Sequence, residues 1–189
     1  MIKLLEMAKF FLTKADIPSD GVLADFTMGN GHDTLYLCRL VPMGMVYSFD
    51  IQKEAVENTA KLLKEEGISN AKLIYDSHAE LEKYIPGKIN AGMFNLGYRP
   101  GGDKKIHTMK ESTIKAITAA IKKLVPGGIL VVSVYPGHEE GRLEGQLIEE
   151  TLCDYDKKDY SIVEYKLINS PDSPFIIAVQ ANSSYKEKD

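Results

Sequence analysis

Five short apolar runs, each followed by a stretch with helical spacing, succeed one another along this chain. Two further runs then follow with only a turn between them. The five are Val22 to Phe26, Met45 to Phe49, Ala71 to Tyr75, Asn90 to Phe94 and Ile129 to Tyr135. The stretches that follow them are Asp33 to Leu40, Lys53 to Glu66, His78 to Tyr84, His107 to Leu124 and Glu139 to Leu152. Lys53 to Glu66 is the clearest: Ala55, Val56, Thr59, Leu62 and Leu63 fall on one face, and Gly67 stops the helix. A leading segment, Met1 to Lys14, repeats the helical spacing with Leu4, Leu5, Ala8, Phe11 and Leu12. Strands that alternate with helices build a parallel sheet covered on both faces. The last two runs, Tyr160 to Ile168 and Phe175 to Ala181, are joined only by Asn169 to Pro174 and must pair antiparallel. The expected fold is therefore α/β and Rossmann-like, a seven-stranded, mostly parallel sheet with one antiparallel strand and helices on both faces.

The chain's 189 residues suit a single domain, expected over 1–182 with a disordered tail over 183–189. No apolar run approaches the roughly 20 residues of a membrane span. Met1 to Lys14 carries too many charges for a secretory signal, which makes the cytoplasm the default expectation. Cys38 and Cys153 lie far apart and the four histidines show no zinc spacing, so no metal site is expected. A net charge of −4 argues against a protein that coats nucleic acid without specificity, though not against a local basic patch.

In a doubly wound sheet, ligands bind beyond the carboxyl ends of the strands. The first strand runs into Asp25-Phe26-Thr27-Met28-Gly29-Asn30-Gly31-His32-Asp33-Thr34. Gly29 and Gly31 let the backbone turn sharply and approach a ligand closely. The helix that starts at once points its free N–H groups into the same pocket. A dinucleotide fingerprint needs a third glycine, but that position holds Thr34. S-adenosylmethionine has no phosphate and carries a cationic amine, which an acid before the glycines, Asp25, would suit. Asp50 ends the second strand at about the ~20-residue distance of a ribose-binding acid, followed by Gln52. Asp76-Ser77-His78 ends the third strand, where a polar side chain can read an adenine edge and where Asp76 can equally be a helix N-cap. The expected cofactor contacts are thus Asp25, Thr27, Gly29, Asn30, Gly31, His32, Asp33, Thr34, Asp50, Gln52, Asp76, Ser77 and His78.

A second constellation follows the fourth strand: Asn95-Leu96-Gly97-Tyr98-Arg99-Pro100-Gly101-Gly102-Asp103-Lys104. It resembles the Asn-Pro-Pro-Tyr element of amino-group methyltransferases, with Leu96 and Gly97 in place of both prolines. That resemblance implies that Asn95 holds a nitrogen nucleophile while Tyr98 packs on the target base. A third element, Tyr135-Pro136-Gly137-His138-Glu139-Glu140-Gly141, reaches the same sheet edge. It offers Tyr135 as a substrate contact and His138 as a proton acceptor or a solvent-exposed helix start.

The three elements together resemble the rRNA methylase family, whose members are assigned as tRNA methyltransferases converting 5-aminomethyl-2-thiouridine to its methylaminomethyl form at the wobble position. The similarity spans nearly the whole chain, and the terminal antiparallel strand agrees with the class I methyltransferase fold it implies. It implies S-adenosylmethionine as cofactor, a tRNA anticodon stem-loop as partner, and Asn95, Tyr98 and His138 as catalytic residues. A sulfonium donor asks the enzyme mainly to align a neutral amine. Tyr98, Asp103, His107 and His138 can each relay the amine's proton. Arg99, Lys104, Lys105, His107 and Lys110 form a cluster suited to phosphate contacts. The expected substrate contacts are Arg99, Asp103, Lys104, Lys105, His107 and Tyr135. The competing readings are an rRNA or small-molecule methyltransferase, a nicotinamide oxidoreductase disfavoured by Thr34, and a non-catalytic cofactor-binding protein. The leading helix and small domain suggest a homodimer.

Overall fold

The computed structural model describes residues 4–96 and 110–183. In chain order its elements are α1 (Leu4–Leu12), β1 (Val22–Asp25), α2 (His32–Leu40), β2 (Met45–Asp50), α3 (Lys53–Glu65) and β3 (Ala71–Tyr75). A 3-10 turn (His78–Glu80) leads into the short α4 (Leu81–Tyr84). Then come β4 (Ile89–Leu96), α5 (Lys110–Lys123), β5 (Leu124–Val134), α6 (Glu139–Cys153), β6 (Tyr160–Tyr165) and β7 (Phe175–Ala181).

The strands form a seven-stranded sheet in the order β3-β2-β1-β4-β5-β7-β6. β1 through β5 pair in parallel, while β7 lies antiparallel to both β5 and β6. The expected sheet is therefore the observed one, and β7 is its single antiparallel strand. The chain runs from β6 at the edge back into the gap beside β5. The strand order reverses between β1 and β4, which puts the switch point, and the crevice it opens, at the carboxyl ends of those two strands.

Strand periodicity sorts the core into two layers. Phe49, Phe94, Leu130, Val132, Ile177 and Val179 face α4, α5 and α6 and pack with Ile117, Ile121 and Ile148. Leu23, Val46, Met93, Val131 and Ile176 face the other way, onto Ala8 and Leu12 of α1 and Leu37 and Cys38 of α2. Burying each large side chain contributes about 1.5–3 kcal/mol. Consecutive residues of β5 serve opposite layers, so this strand reads as an unbroken apolar run rather than an alternation.

Several boundaries differ from expectation. Leu124 already pairs with Ile89, and the register then shifts before Ala91 meets Ile129. The stretch between the expected helix end at Leu124 and the expected strand start at Ile129 is thus an irregularity inside β5, with Gly127 at a φ of 80°. The helix expected over His78 to Tyr84 divides into the 3-10 turn and α4. β4 runs on through Asn95 to Leu96, and β6 ends at Tyr165 rather than Ile168. Among the described residues no helix is long and apolar enough to cross a membrane.

Candidate active site

The loop after β1 is suspended between its two neighbouring strands. The Phe26 amide donates to the Met93 carbonyl of β4, and the Met28 amide donates to the Phe49 carbonyl of β2, each at 2.9 Å. Gly29 and Gly31 hold φ values of 54° and 82°, where a Cβ is strained. Space adds a second demand at Gly31: a Cβ there would stand 2.7 Å from Thr59 Oγ1 and 2.8 Å from its Cγ2. Gly31 is also the N-cap of α2, without a side chain to cap it, so the first amides of α2 open toward the loop.

Carboxylates organise this corner. Asp50 takes the Gly29 amide on Oδ2 and the Gln52 amide on Oδ1, both at 2.9 Å. Two donors leave part of its acceptor capacity open at a half-buried position. Gln52 itself stands at the N-cap of α3 and makes no capping bond with its side chain. Asp25 differs from the expectation of a direct contact to the cofactor amine. It is completely buried, with Oδ2 accepting from Thr34 Oγ1 at 2.6 Å and Oδ1 from the Thr27 amide at 3.1 Å. Burial, reinforced by the charge of Asp33, pushes its carboxyl up to about 7. Its role in this geometry is to tie the loop to the start of α2.

The third strand's end is also turned inward. Asp76 accepts from the Ser77 amide and from the Tyr84 hydroxyl, both at 2.7 Å. The N-cap there is Ser77, whose Oγ accepts from the Ala79 amide at 3.2 Å. His78 Nδ1 lies 3.0 Å from the Phe26 carbonyl. A carbonyl only accepts, so Nδ1 carries the proton, and burial lowers the ring's pKa. Nε2 is left as a buried lone pair without a partner. The imidazole packs edge-on against Phe94 at 5.5 Å, beneath the loop rather than over it.

Across the crevice, Asn95 closes the site. Its amide donates to Thr27 Oγ1 at 2.7 Å, which joins the loop to β4. Its side-chain Nδ2 donates to Asp33 Oδ2 at 2.6 Å, while its Oδ1 is buried with no partner among the described residues. Tyr135 is half-buried at the end of the neighbouring strand, where burial and the charge of Asp33 raise the pKa of its phenol. Asn30 is half-exposed and His32 exposed at the loop's rim. His138 is the N-cap of α6: its Nδ1 accepts from the Gly141 amide at 2.9 Å. His138 thus stands at a helix start with Nδ1 engaged, one of the two readings that the sequence left open for it. Tyr98, Arg99, Asp103, Lys104, Lys105 and His107 lie outside the described residues.

Two features escaped sequence reasoning. Nothing in the sequence connects Asp33 with Asn95, which are 62 residues apart. Ile51, 49% exposed beside Asp50, and Tyr75, 62% exposed at the position in register with Asp50, form an apolar rim. A signal for Ile51 was present: an apolar residue immediately beyond a strand-ending acid has already left the core.

The donor set fits a compact cation better than a phosphate. Asp25, Asp33 and Asp50 are near enough for their charges to act on one another. Among the described residues no lysine, arginine or histidine forms an ion pair with any of them. No group of acids, histidines and cysteines there could hold a metal ion. Asp50 retains acceptor capacity for hydroxyl groups.

Comparison with known proteins agrees with this geometry. The family model described as "Putative rRNA methylase" matches residues 46–180. A curated relative from Arabidopsis thaliana, the chloroplastic tRNA (mnm(5)s(2)U34)-methyltransferase, is 34% identical over 173 residues, 85% of this chain. The aligned part spans 63% of that relative's length. A solved structure from Clostridium thermocellum, titled with the same family description, superposes with a TM-score of 0.89 at 35% identity, covering 96% of this chain and 99% of its own. A Streptococcus mutans structure titled a "putative methyltransferase" in complex with SAH superposes at 0.87 with 30% identity and the same coverage.

Proposed function

The chain belongs to the family described as "Putative rRNA methylase", and from that premise we propose that it moves a methyl group from S-adenosylmethionine to an amine of RNA. We propose further that the acceptor is the aminomethyl group of 5-aminomethyl-2-thiouridine at the tRNA wobble position. The observation that carries this reading is Asn95 Oδ1, a buried carbonyl oxygen at the switch point of the sheet with no partner among the described residues. A bare acceptor there calls for a donor on the nucleophile, and an amine N–H supplies one. The name of the Arabidopsis relative, which specifies a modified uridine 34, favours tRNA over rRNA.

The bound cofactor supplies an electrophilic methyl on a sulfonium. Around it, Gly29 and Gly31 admit close backbone approach, and Asp50 offers carboxylate oxygens to the ribose hydroxyls. The open amides of α2 and the half-exposed Asn30 face the same ligand. The carboxylate of Asp50 lowers the energy of a cation held beside it. Asn95 accepts one N–H of the neutral amine and so directs its lone pair at the methyl carbon. The N–C bond forms as the C–S bond breaks, and the electron pair stays on sulfur. The new secondary ammonium then releases a proton to water, a step for which no dedicated base is needed. Alignment of this kind is the main demand of an in-line displacement. Tyr135, at the adjacent strand end, is placed to line the path of the base.

The decisive measurement is nucleoside mass spectrometry of tRNA from a strain lacking the gene. The expected result is loss of the methylaminomethyl nucleoside and accumulation of its aminomethyl precursor. An unchanged tRNA profile with a missing rRNA methylation would establish the rRNA reading instead. Asn95→Ala is expected to lower kcat by about 10²-fold while leaving SAH binding intact by calorimetry.

A further inference from the structure

We propose that Asp33 is a positioning residue: it locks the Asn95 carboxamide in the one orientation that presents Oδ1, and not Nδ2, to the incoming amine. The proposal rests on the reading of Asn95 just given and deepens it.

A carboxamide has two ends of nearly equal size. Left alone it can turn over and offer an N–H where an oxygen is needed, which would repel the N–H of an acceptor amine. In this structure the two ends are not equivalent. Nδ2 lies 2.6 Å from Asp33 Oδ2, and Oδ1 is buried with no partner among the described residues. An ionised carboxylate can only accept hydrogen bonds, so it tolerates Nδ2 and rejects Oδ1. Asp33 is the second residue of α2, at the helix end where the macrodipole favours negative charge. The short charge-assisted bond is also stronger than a neutral one.

The backbone on both sides is pinned as well. The Asn95 amide is tied to Thr27 Oγ1, and Gly31, the N-cap of α2, has no room for a Cβ beside Thr59. The residues that precede Thr27 and Asn95, Phe26 and Phe94, stack their rings with centroids 4.4 Å apart. The carboxamide therefore has a fixed base and a fixed partner for Nδ2. Sequence alone put Asp33 among the cofactor contacts; the geometry points to the acceptor side.

A double-mutant cycle tests this. kcat and KM for both substrates are measured for the wild type, Asp33→Ala, Asn95→Ala and the double variant, with SAH affinity by calorimetry and melting temperature for each. Each single variant is expected to lose roughly 10²-fold in kcat, with SAH affinity changed less than about threefold and the double variant no slower than Asn95→Ala. Asp33→Asn, which keeps the shape but lets the pair turn over, is expected to fall between wild type and Asp33→Ala. A double variant slower by the product of the two single losses, or an SAH affinity that falls with the rate in Asp33→Ala, overturns the proposal and returns Asp33 to the cofactor. Full activity in Asp33→Ala also overturns it. The failure of the parent reading is distinct, because Asn95→Ala would then be fully active. Folding defects are separated by NMR of the wild-type protein. The Asn95 side-chain NH₂ is expected downfield and protected from exchange, and an ordinary, unprotected signal would sink the idea without any variant.

Discussion

Asp25 shows how a residue read as a ligand becomes a joint. Its carboxyl sits where water does not reach, beside the charges of Asp33 and Asp50, and its pKa rises from 3.8 to about 7. Between those two values the unfolded chain has released this proton while the folded chain still holds it. The folded state is therefore weakened by this group as pH rises through that window, and its contribution is flat above and below. Asp25→Asn retains an acceptor for the Thr27 amide and a partner for the Thr34 hydroxyl without the charge. The variant is expected to gain more stability over the wild type at pH 8 than at pH 4.5, measured by urea midpoints; an equal difference at both values would refute the buried-charge account. Gly31 makes a complementary case. With φ at 82° and Thr59 in the way, Gly31→Ala is expected to cost about 1–3 kcal/mol and to weaken SAH binding together with melting temperature.

At the scale of elements, helix starts do much of the positioning. α2 begins on a glycine and leaves its amides for a ligand, whereas α6 begins on His138 and consumes the imidazole Nδ1 in its own cap. Removing that cap in His138→Ala is expected to cost about 1 kcal/mol, visible as a lower melting temperature. His138→Asp restores an N-cap acceptor and is expected to recover both stability and methyl transfer. A stable but inactive His138→Asp protein would show that the imidazole takes part in the reaction. The elements themselves were legible in the sequence because apolar periodicity decides which residues can be buried. Their ends were less so. Asn95 belongs to β4 rather than to the loop because it pairs in parallel with Ser133 of β5, a partner from another part of the chain.

Across the whole molecule, the sheet grades from a doubly covered centre to thin edges. β1, β4, β5 and β7 have neighbours on both sides, while β3 and β6 have one each, and β6 exposes Ile162 and Val163. Native-state hydrogen exchange is expected to show β3 and β6 opening first and β4 and β5 last. Uniform protection across the seven strands would contradict this grading. The site spans β1 and β4, two inner strands of the sheet, so its geometry is held away from the edges expected to open first.

The sequence by itself determined the layer architecture, the antiparallel closing strand, the glycine loop and the acid that ends β2. All of these follow from local rules: periodicity, turn chemistry, and the fact that polar residues beyond a buried strand emerge at one edge of a parallel sheet. Only the tertiary structure decided what each polar side chain does there. Asp25 became buried, His78 turned under the loop, Asp76 met Tyr84, and Asp33 met Asn95. The physical reason is that a hydrogen bond depends on distance and direction to within fractions of an ångström. Residues 62 positions apart acquire that relation only when β1 and β4 are laid side by side.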